Sequence, residues 1–543
     1  MDALLKLVQT VNGYLTDYIL IFLLVGTGLF FTIKTKFVQV RCFGEGMRKV
    51  FGNIKLRGGK NDSGLSPFQA LATAVAAQVG TGNIVGASGA ILTGGPGAIF
   101  WMWVIAFFGM ATIYAEATLA QETKVVKEDG SVLGGPVYYI KTAFKGGFGK
   151  FLAVFFAIAI ILALGFMGSM VQSNSIAGVV EKVLDPEKAN ILFSVGSYDV
   201  TLTAVIVGAI IALVAAFIFL GGIQRIASVT EKLVPIMAIL FLLGGVMVLS
   251  FNYRYILPTF GMIFKYAFTP QALIGGGIGA ALKIAISQGA KRGLFSNEAG
   301  MGSTPHAHAQ ANVARPHDQG VVAMIGVFID TFIVLTMTAL VVISTLYNGN
   351  GPLAGLFGAD YTAALDAGVV TKATAMQTAY TYALPDWFGN FGNIFVAICL
   401  LFFAFSTIIS WNFFGKLNIQ YLFGKKEKAG VVIYSVIAIV FIFLGSILQN
   451  DLVWELTDFF NYLMGDFSSD AQFMNYVYNM KVRSIIDIPV PVNEDDQLIT
   501  LSTCSYEYTD FRTVICARKI RNNEKVTDYI KNAKPAENPV WPD

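Results

Sequence analysis

The sequence predicts an all-α polytopic membrane protein with a small β-rich tail, on three observations. First, 55% of its 543 residues are hydrophobic and 13% are charged, about half the charged share of an average soluble domain. Second, apolar runs are long. Residues 63–115 contain no Asp, Glu, Lys or Arg, and about 20 apolar residues suffice to cross a bilayer. Third, the loops between the runs alternate in charge. A net charge of +3 excludes nucleic acid as an expected partner; the partner is the lipid bilayer. The four cysteines, at 42, 399, 504 and 516, form neither a C-x-x-C motif nor a disulfide framework, and His306, His308 and His317 share one loop. Redox and zinc chemistry are therefore not expected. Residues 1–14 lack a basic n-region and a clear cleavage site, so no removed signal peptide is expected.

Ten apolar segments are expected, near 15–34, 66–93, 97–120, 150–172, 201–221, 228–250, 272–300, 318–346, 389–413 and 429–448. An eleventh begins at Asp451 as "DLVWELTDFFNYLMG", and its uncharged core is too short to span. Residues 34–60 hold eight Lys or Arg: Lys34, Lys36, Arg41, Arg48, Lys49, Lys55, Arg57 and Lys60. This loop, 124–150, 291–315 and "GKLNIQYLFGKKEK" after the ninth segment are expected inside. The acidic or mixed loops 181–199 and 360–386 are expected outside, as is the N-terminus.

Beyond an N-terminal region, 1–65, the segments form two groups of five, at 66–250 and 272–465. Each group opens with a glycine-interrupted segment, "QVGTGNIVG" (78–86) and "ISQGAKRGLFSNEAG" (286–300). Groups of five must insert in opposite orientations, and inverted repeats with matching broken helices point to a secondary transporter. Most Ala and Gly here only let helices pack closely. These two stretches differ in having polar neighbours: Thr81 and Asn83 in one, Ser296, Asn297 and Glu298 in the other.

A broken helix frees amides and carbonyls within the membrane. The amides of a half-helix N-terminus favour an anion such as an amino-acid carboxylate, and the carbonyls suit a hard cation. Gly80 and Gly82 permit close approach of the backbone, while Thr81 and Asn83 add side-chain oxygens. Gln172, Ser173 and Asn174 on the fourth segment are further polar candidates, as are Ser406, Thr407 and Ser410 on the ninth, with Trp411 beside them. Any single hydroxyl is as readily explained by bonding back to the preceding turn; the set together points to a site. Lys283 in the seventh segment is ionisable at membrane depth, with snorkelling the favoured explanation. Glu116, in the last turn of the third, is expected at the interface. The "HAH" at 306–308 is expected in a loop and not at a metal.

The stretch 94–109, "GGPGAIFWMWVIAFFG", closely resembles the signature of the alanine or glycine:cation symporter family. "GTGNIVG", "GGPVYYI" (134–140), "GGIQRIASVTEKLVP" (221–235) and "RGLFSNEAGMGSTPHAHA" from Arg292 also resemble it, so the likeness covers about 1–465. It implies a leucine-transporter-like fold of two inverted five-helix repeats preceded by one extra helix. It implies uptake of alanine or glycine across the plasma membrane, with Na+ as coupling ion, occasionally protons, and no organic cofactor. Thr81, Gly82, Gln172, Thr407 and Trp411 are then the candidate substrate contacts. Gly80, Asn83, Ser406 and Thr407 are the candidate cation ligands. Family members end in a complete eleventh helix and a short tail, and this chain departs from them there.

Residues 466–543 carry 12 acidic and 9 basic residues and no long apolar run. "QLITLSTCSY" and "FRTVICARKI" are strand-like and joined by "EYTD". Cys504 and Arg512 could pair as nucleophile and oxyanion-stabilising cation. "TLSTC" followed by "R-x-V-I-x-A" resembles the end of a class B sortase, a transpeptidase of Gram-positive bacterial surfaces. Such an enzyme needs an upstream histidine, and none follows His317. The fragment is therefore expected to be inactive and not independently folded, fused to a symporter whose last helix is truncated. A membrane-anchored cysteine transpeptidase and a non-transporting amino-acid sensor are the alternatives.

Overall fold

The computed structural model describes residues 21–52, 64–128, 130–195, 198–269, 278–356, 358–448, 453–454 and 457. In the tail it describes the strands at 486–487, 498–504, 512–518 and 534–535. The chain divides into two compact units, Met1–Met464 and Gly465–Asp543.

The first unit is helical where the apolar runs predict it. Seven described helices are long and apolar enough to cross a bilayer: Ala98–Glu122, Gly146–Leu184, Leu202–Phe219, Gln224–Phe251, Pro316–Leu346, Phe391–Phe423 and Glu427–Ser446. An eighth span is the pair Pro67–Gln78 and Gly82–Gly94, bent by 44°. The helices Ile21–Lys34 and Ile278–Asn297 occupy the two other expected segments, whose starts at 15–20 and 272–277 lie outside the described residues, and neither as described is both long and apolar enough to count as a span. Ile278–Asn297 is a 20-residue helix, long enough to span at about 1.5 Å per residue, but it carries Lys283, Lys291 and Arg292. Of the eleventh segment, Val453, Trp454 and Thr457 are described as helical.

Side-chain exposure supports lipid as the surrounding solvent. On Leu202–Phe219, Ile206, Ile210, Leu213 and Phe217 all face outward, with Leu213 71% exposed. Their spacing of three and four residues lines one face of the helix. A stripe of this size is costly in water and costs nothing against acyl chains. Inner faces instead carry small residues and meet closely.

Several elements differ from the expectation. The fourth segment runs from Gly146 to Leu184, 39 residues, because a π-helical stretch, Ile161–Gly168, continues it without a break. A second π stretch, Phe328–Leu335, lies inside the eighth span. The acidic loop after the fourth segment contains an antiparallel hairpin, Ile191–Val195 with Tyr198–Thr201, which no residue pattern had indicated. A short helix, Phe43–Phe51, occupies the first basic loop, with Gly46 and Val50 buried against the bundle.

In the second unit, Leu498–Cys504 pairs antiparallel with Arg512–Arg518, and Cys504 lies opposite Arg512 in the register. Ile486–Asp487 pairs with Lys534–Pro535. Each of the two longer strands has seven residues, three fewer than the ten-residue run that contains it.

Candidate functional site

The second segment begins with a capping box. Ser66 Oγ accepts from Gln69 N at 3.1 Å, Gln69 Oε1 accepts from Ser66 N at 3.1 Å, and Pro67 occupies the first turn, where its missing N–H costs nothing. The helix stops at Gln78, and a π stretch, Gly82–Gly86, resumes it after Val79, Gly80 and Thr81. The break itself is held by side chains. Gly80 N donates to Asn83 Oδ1 at 3.0 Å, and Thr81 N donates to Gln172 Oε1 at 3.2 Å.

The second break lies at the C-terminal end of the expected stretch 286–300. Gly289 and Gly293 sit inside the helix Ile278–Asn297, where Gly289 lets the seventh segment press on Trp101 and the Ala98 carbonyl. The chain turns at Glu298, which is left-handed at φ 56°, followed by Gly300 and Gly302 at φ 94° and 71°. A non-glycine residue in this region is uncommon and strained. Glu116 secures the turn by accepting from Gly300 N at 3.1 Å and Gly302 N at 3.2 Å. It is therefore a half-buried partner of the second break.

The two breaks meet. A Cβ on Gly82 would lie 3.0 Å from Ser296 Cα, and one on Gly80 would lie 2.4 Å from Thr407 Oγ1. Two clusters of oxygen atoms flank this junction. In the first, Thr407 Oγ1 lies 2.9 Å from the Ala76 carbonyl and 3.4 Å from that of Ala77, while Ser406 Oγ lies 3.4 Å from Ala76 O. Hydroxyls of the ninth segment thus face carbonyls released near the break. In the second, Asp330 accepts from Asn83 Nδ2 at 2.7 Å, from Ser296 Oγ at 3.0 Å and from Thr331 Oγ1 at 2.8 Å. Asp330 is fully buried, and no ion pair involves it among the described residues. A buried carboxylate is costly unless a cation or strong donors satisfy it.

The candidates from sequence therefore separate. Gly80, Ser406 and Thr407 come together as expected. Asn83 bridges from Gly80, whose N–H its Oδ1 accepts, to Asp330, which sequence inspection passed over although it is the one acid in "GVFIDTFIVL". Thr81, Gly82 and Gln172 line the first break, and the buried Thr81 Oγ1 and Ser410 Oγ have no hydrogen-bond partner among the described residues. Trp411 is buried and donates its indole N–H to Glu298 of the second break, with its ring edge-on to Phe295 at 5.9 Å. Ser173 and Asn174 serve packing: Asn174 Nδ2 donates to the Gly445 and Leu448 carbonyls at 2.9 and 2.7 Å, tying the fourth segment to the tenth. Lys283 is exposed. Trp454 of the eleventh segment reaches the site from its rim, 5.0 Å from the Phe295 ring and 4.7 Å over the Arg292 guanidinium.

His306 and His308, beyond the second break, are structural. His306 Nδ1 donates to Ser303 O at 2.8 Å and its Nε2 accepts from Asn418 Nδ2 at 2.9 Å, a pattern that only the neutral ring satisfies. Gln319 Nε2 donates to His308 Nδ1 at 2.8 Å. Burial holds His306 down to about 4 and His308 to about 3. Below about pH 6.5 the unfolded chain binds protons that the folded rings refuse, so stability falls as pH falls. For His306 the loss reaches on the order of 3 kcal/mol by about pH 4. The unfolding temperature of purified protein is expected to drop between pH 7 and pH 5, and to drop less in His306→Gln.

The sodium:alanine symporter family model matches residues 1–468. The sodium/alanine symporter AgcS of Methanococcus maripaludis is 38% identical over 84% of this chain and 91% of its own length. The probable sodium/glutamine symporter GlnT of Bacillus subtilis is 35% identical over 84% of this chain and 85% of its own. Among solved structures, MhsT in complex with L-phenylalanine superposes with a TM-score of 0.51 at 15% identity, covering 75% of this chain and 88% of MhsT, which shows a shared leucine-transporter-like fold. On the extent of these matches, the chain belongs to the sodium:alanine symporter family.

Proposed function

We propose that this family member takes up alanine, glycine or both across the plasma membrane together with sodium, by alternating access around the two breaks. It is a secondary transporter and not an enzyme. The observation that carries the proposal is the junction itself: Gly82 against Ser296, with the unpartnered Thr81 hydroxyl beside it and an oxygen cluster on either flank. The amino acid would sit at Thr81, Gly82, Gln172 and Trp411, its carboxylate on the amides of the first break. Thr407 would border both the substrate and the cation. Sodium would take the carbonyls of Ala76 and Ala77 with Ser406 and Thr407, or the cluster of Asn83, Ser296 and Asp330. The rings of Phe295 and Trp411 meet edge-on beside the junction and would border the substrate side chain. The segments 66–250 and 272–465 act as the inverted repeats, with the basic loops inside and the N-terminus outside.

The test is uptake of labelled alanine into proteoliposomes of the full chain, with and without an inward sodium gradient, competed by glycine and by glutamine. Accumulation that collapses without sodium and yields to glycine is the expected result. Binding of alanine without accumulation would identify a sensor instead, and preferential competition by glutamine would move the substrate assignment.

For the tail, the family match ends at residue 468, close to the unit boundary at Gly465, and the register sets Cys504 opposite Arg512. The end of the match at the unit boundary supports a separate origin for the tail, whose resemblance to the end of a sortase rests on its sequence alone. With no histidine beyond His317, thiol labelling of Cys504 is expected without peptide cleavage.

A further inference from the structure

Far from the junction, the fold gathers three metal-ligating side chains that lie far apart in sequence. Cys42 immediately precedes the helix Phe43–Phe51, and Glu45 lies three residues on, over the same face. His317 stands at the start of the eighth span, 272 positions from Glu45, with Nε2 3.3 Å from Glu45 Oε2. One donor atom from each of Cys42, Glu45 and His317 falls within 4.8 Å of both others. Ligands of a tetrahedral zinc ion at about 2.0–2.3 Å from the metal stand roughly 3.5 Å apart, so side-chain rotation closes the remaining gap. The docking that creates the triad is tight: a Cβ on Gly46 would lie 2.7 Å from Ile325 Cγ1 and 2.9 Å from Val321 O.

Two features distinguish this cluster from a chance meeting of polar groups. The Tyr114 hydroxyl lies 2.8 Å from His317 Nδ1, which leaves Nε2 toward Glu45 and Cys42. An outer partner on the second ring nitrogen is the usual way a ligating histidine is oriented. Access is also graded: Cys42 is buried, whereas the Glu45 and His317 side chains are 38% and 31% exposed, so an ion can enter from water and keep a water as fourth ligand. The neighbouring charges leave room for a dication. Lys49 Nζ lies 3.6 Å from Glu45 but 3.1 Å from Asp318, which also holds Arg315 at 2.8 Å.

We infer that Cys42, Glu45 and His317 form a binding site for a borderline-soft divalent cation of the zinc class, clamping the first-loop helix to the start of the eighth span. Thiolate and imidazole select against sodium, magnesium and calcium, which take oxygen ligands. The site is distinct from any coupling-ion position, and its occupancy does not depend on the transport assignment.

The test uses the full chain, purified, metal-stripped and carrying Cys504→Ser and Cys516→Ser to silence the tail thiols. Titration with Co2+ is expected to give one equivalent of bound metal, with thiolate-to-cobalt charge-transfer absorption and tetrahedral visible bands. Zn2+ should displace it one for one and raise the unfolding temperature. Cys42→Ser should abolish the charge-transfer band, His317→Gln should weaken binding by about tenfold or more, and Cys399→Ser should change neither. His317 is partly exposed, so its variant tests the site even if Cys42→Ser fails to fold. No charge-transfer band in the parent, or a band that survives Cys42→Ser, would overturn the assignment.

Discussion

Asp330→Asn is expected to abolish sodium-driven accumulation of alanine. The carboxylate is fully buried and accepts from Asn83, Ser296 and Thr331. Asparagine matches its size but removes the formal charge and presents donors to neighbours that are themselves donors. Loss of one partner from a buried charged pair typically costs about 3–5 kcal/mol, so sodium affinity should fall by at least about a hundredfold. Sodium-dependence of alanine uptake, with alanine binding measured separately by calorimetry, reads the two effects apart. An unchanged sodium dependence would assign coupling to the Ala76, Ala77, Ser406 and Thr407 cluster alone.

Gly80→Ala is expected to be nearly as severe, for a steric reason. Its Cβ would lie 2.4 Å from Thr407 Oγ1 and 3.3 Å from Gln172 Oε1. Either the first break or the ninth segment must shift, and overpacking of this kind costs about 1–3 kcal/mol. The shift would also separate Thr407 from the Ala76 carbonyl and Gln172 from Thr81 N. Uptake should be lost while the protein remains folded. Combining it with Thr407→Ala should recover much of the thermal stability, because the clashing oxygen is gone, without recovering sodium-driven uptake. Recovery of uptake in the double variant would show that Thr407 Oγ1 has no part in coupling.

The helical architecture was legible because hydrophobic length is set by the bilayer and needs no tertiary information. The first break was legible for a similar reason: Gly80 and Gly82 interrupt an otherwise uniform apolar run. The second was legible as a stretch, 286–300, but not to the residue. Gly289 and Gly293 remain helical because they pack on the third segment, while the turn falls at Glu298, a residue that φ preferences would not nominate. Asp330 was missed since one acid in a long apolar run still leaves the run long enough to span. Glu116 and Trp411 could be located but not partnered, because Gly300, Gly302 and Glu298 meet them only through packing. The triad of Cys42, Glu45 and His317 has no local spacing at all and exists only where the first loop docks on the eighth span.

The π-helical stretches have a consequence for how the chain tolerates changes in length. Each i→i+5 stretch accommodates a surplus residue within a helix, so the flanking halves of Gly146–Leu184 present faces that regular winding would not align. Deleting one residue from Ile161–Gly168 can be absorbed by a return to α-helix, leaving both halves in register with their neighbours. The same deletion from the regular helix Ala98–Glu122 would rotate everything beyond it by about 100°. Spans that look alike in apolarity therefore differ sharply in which of them can lose a residue and still bury the same side chains.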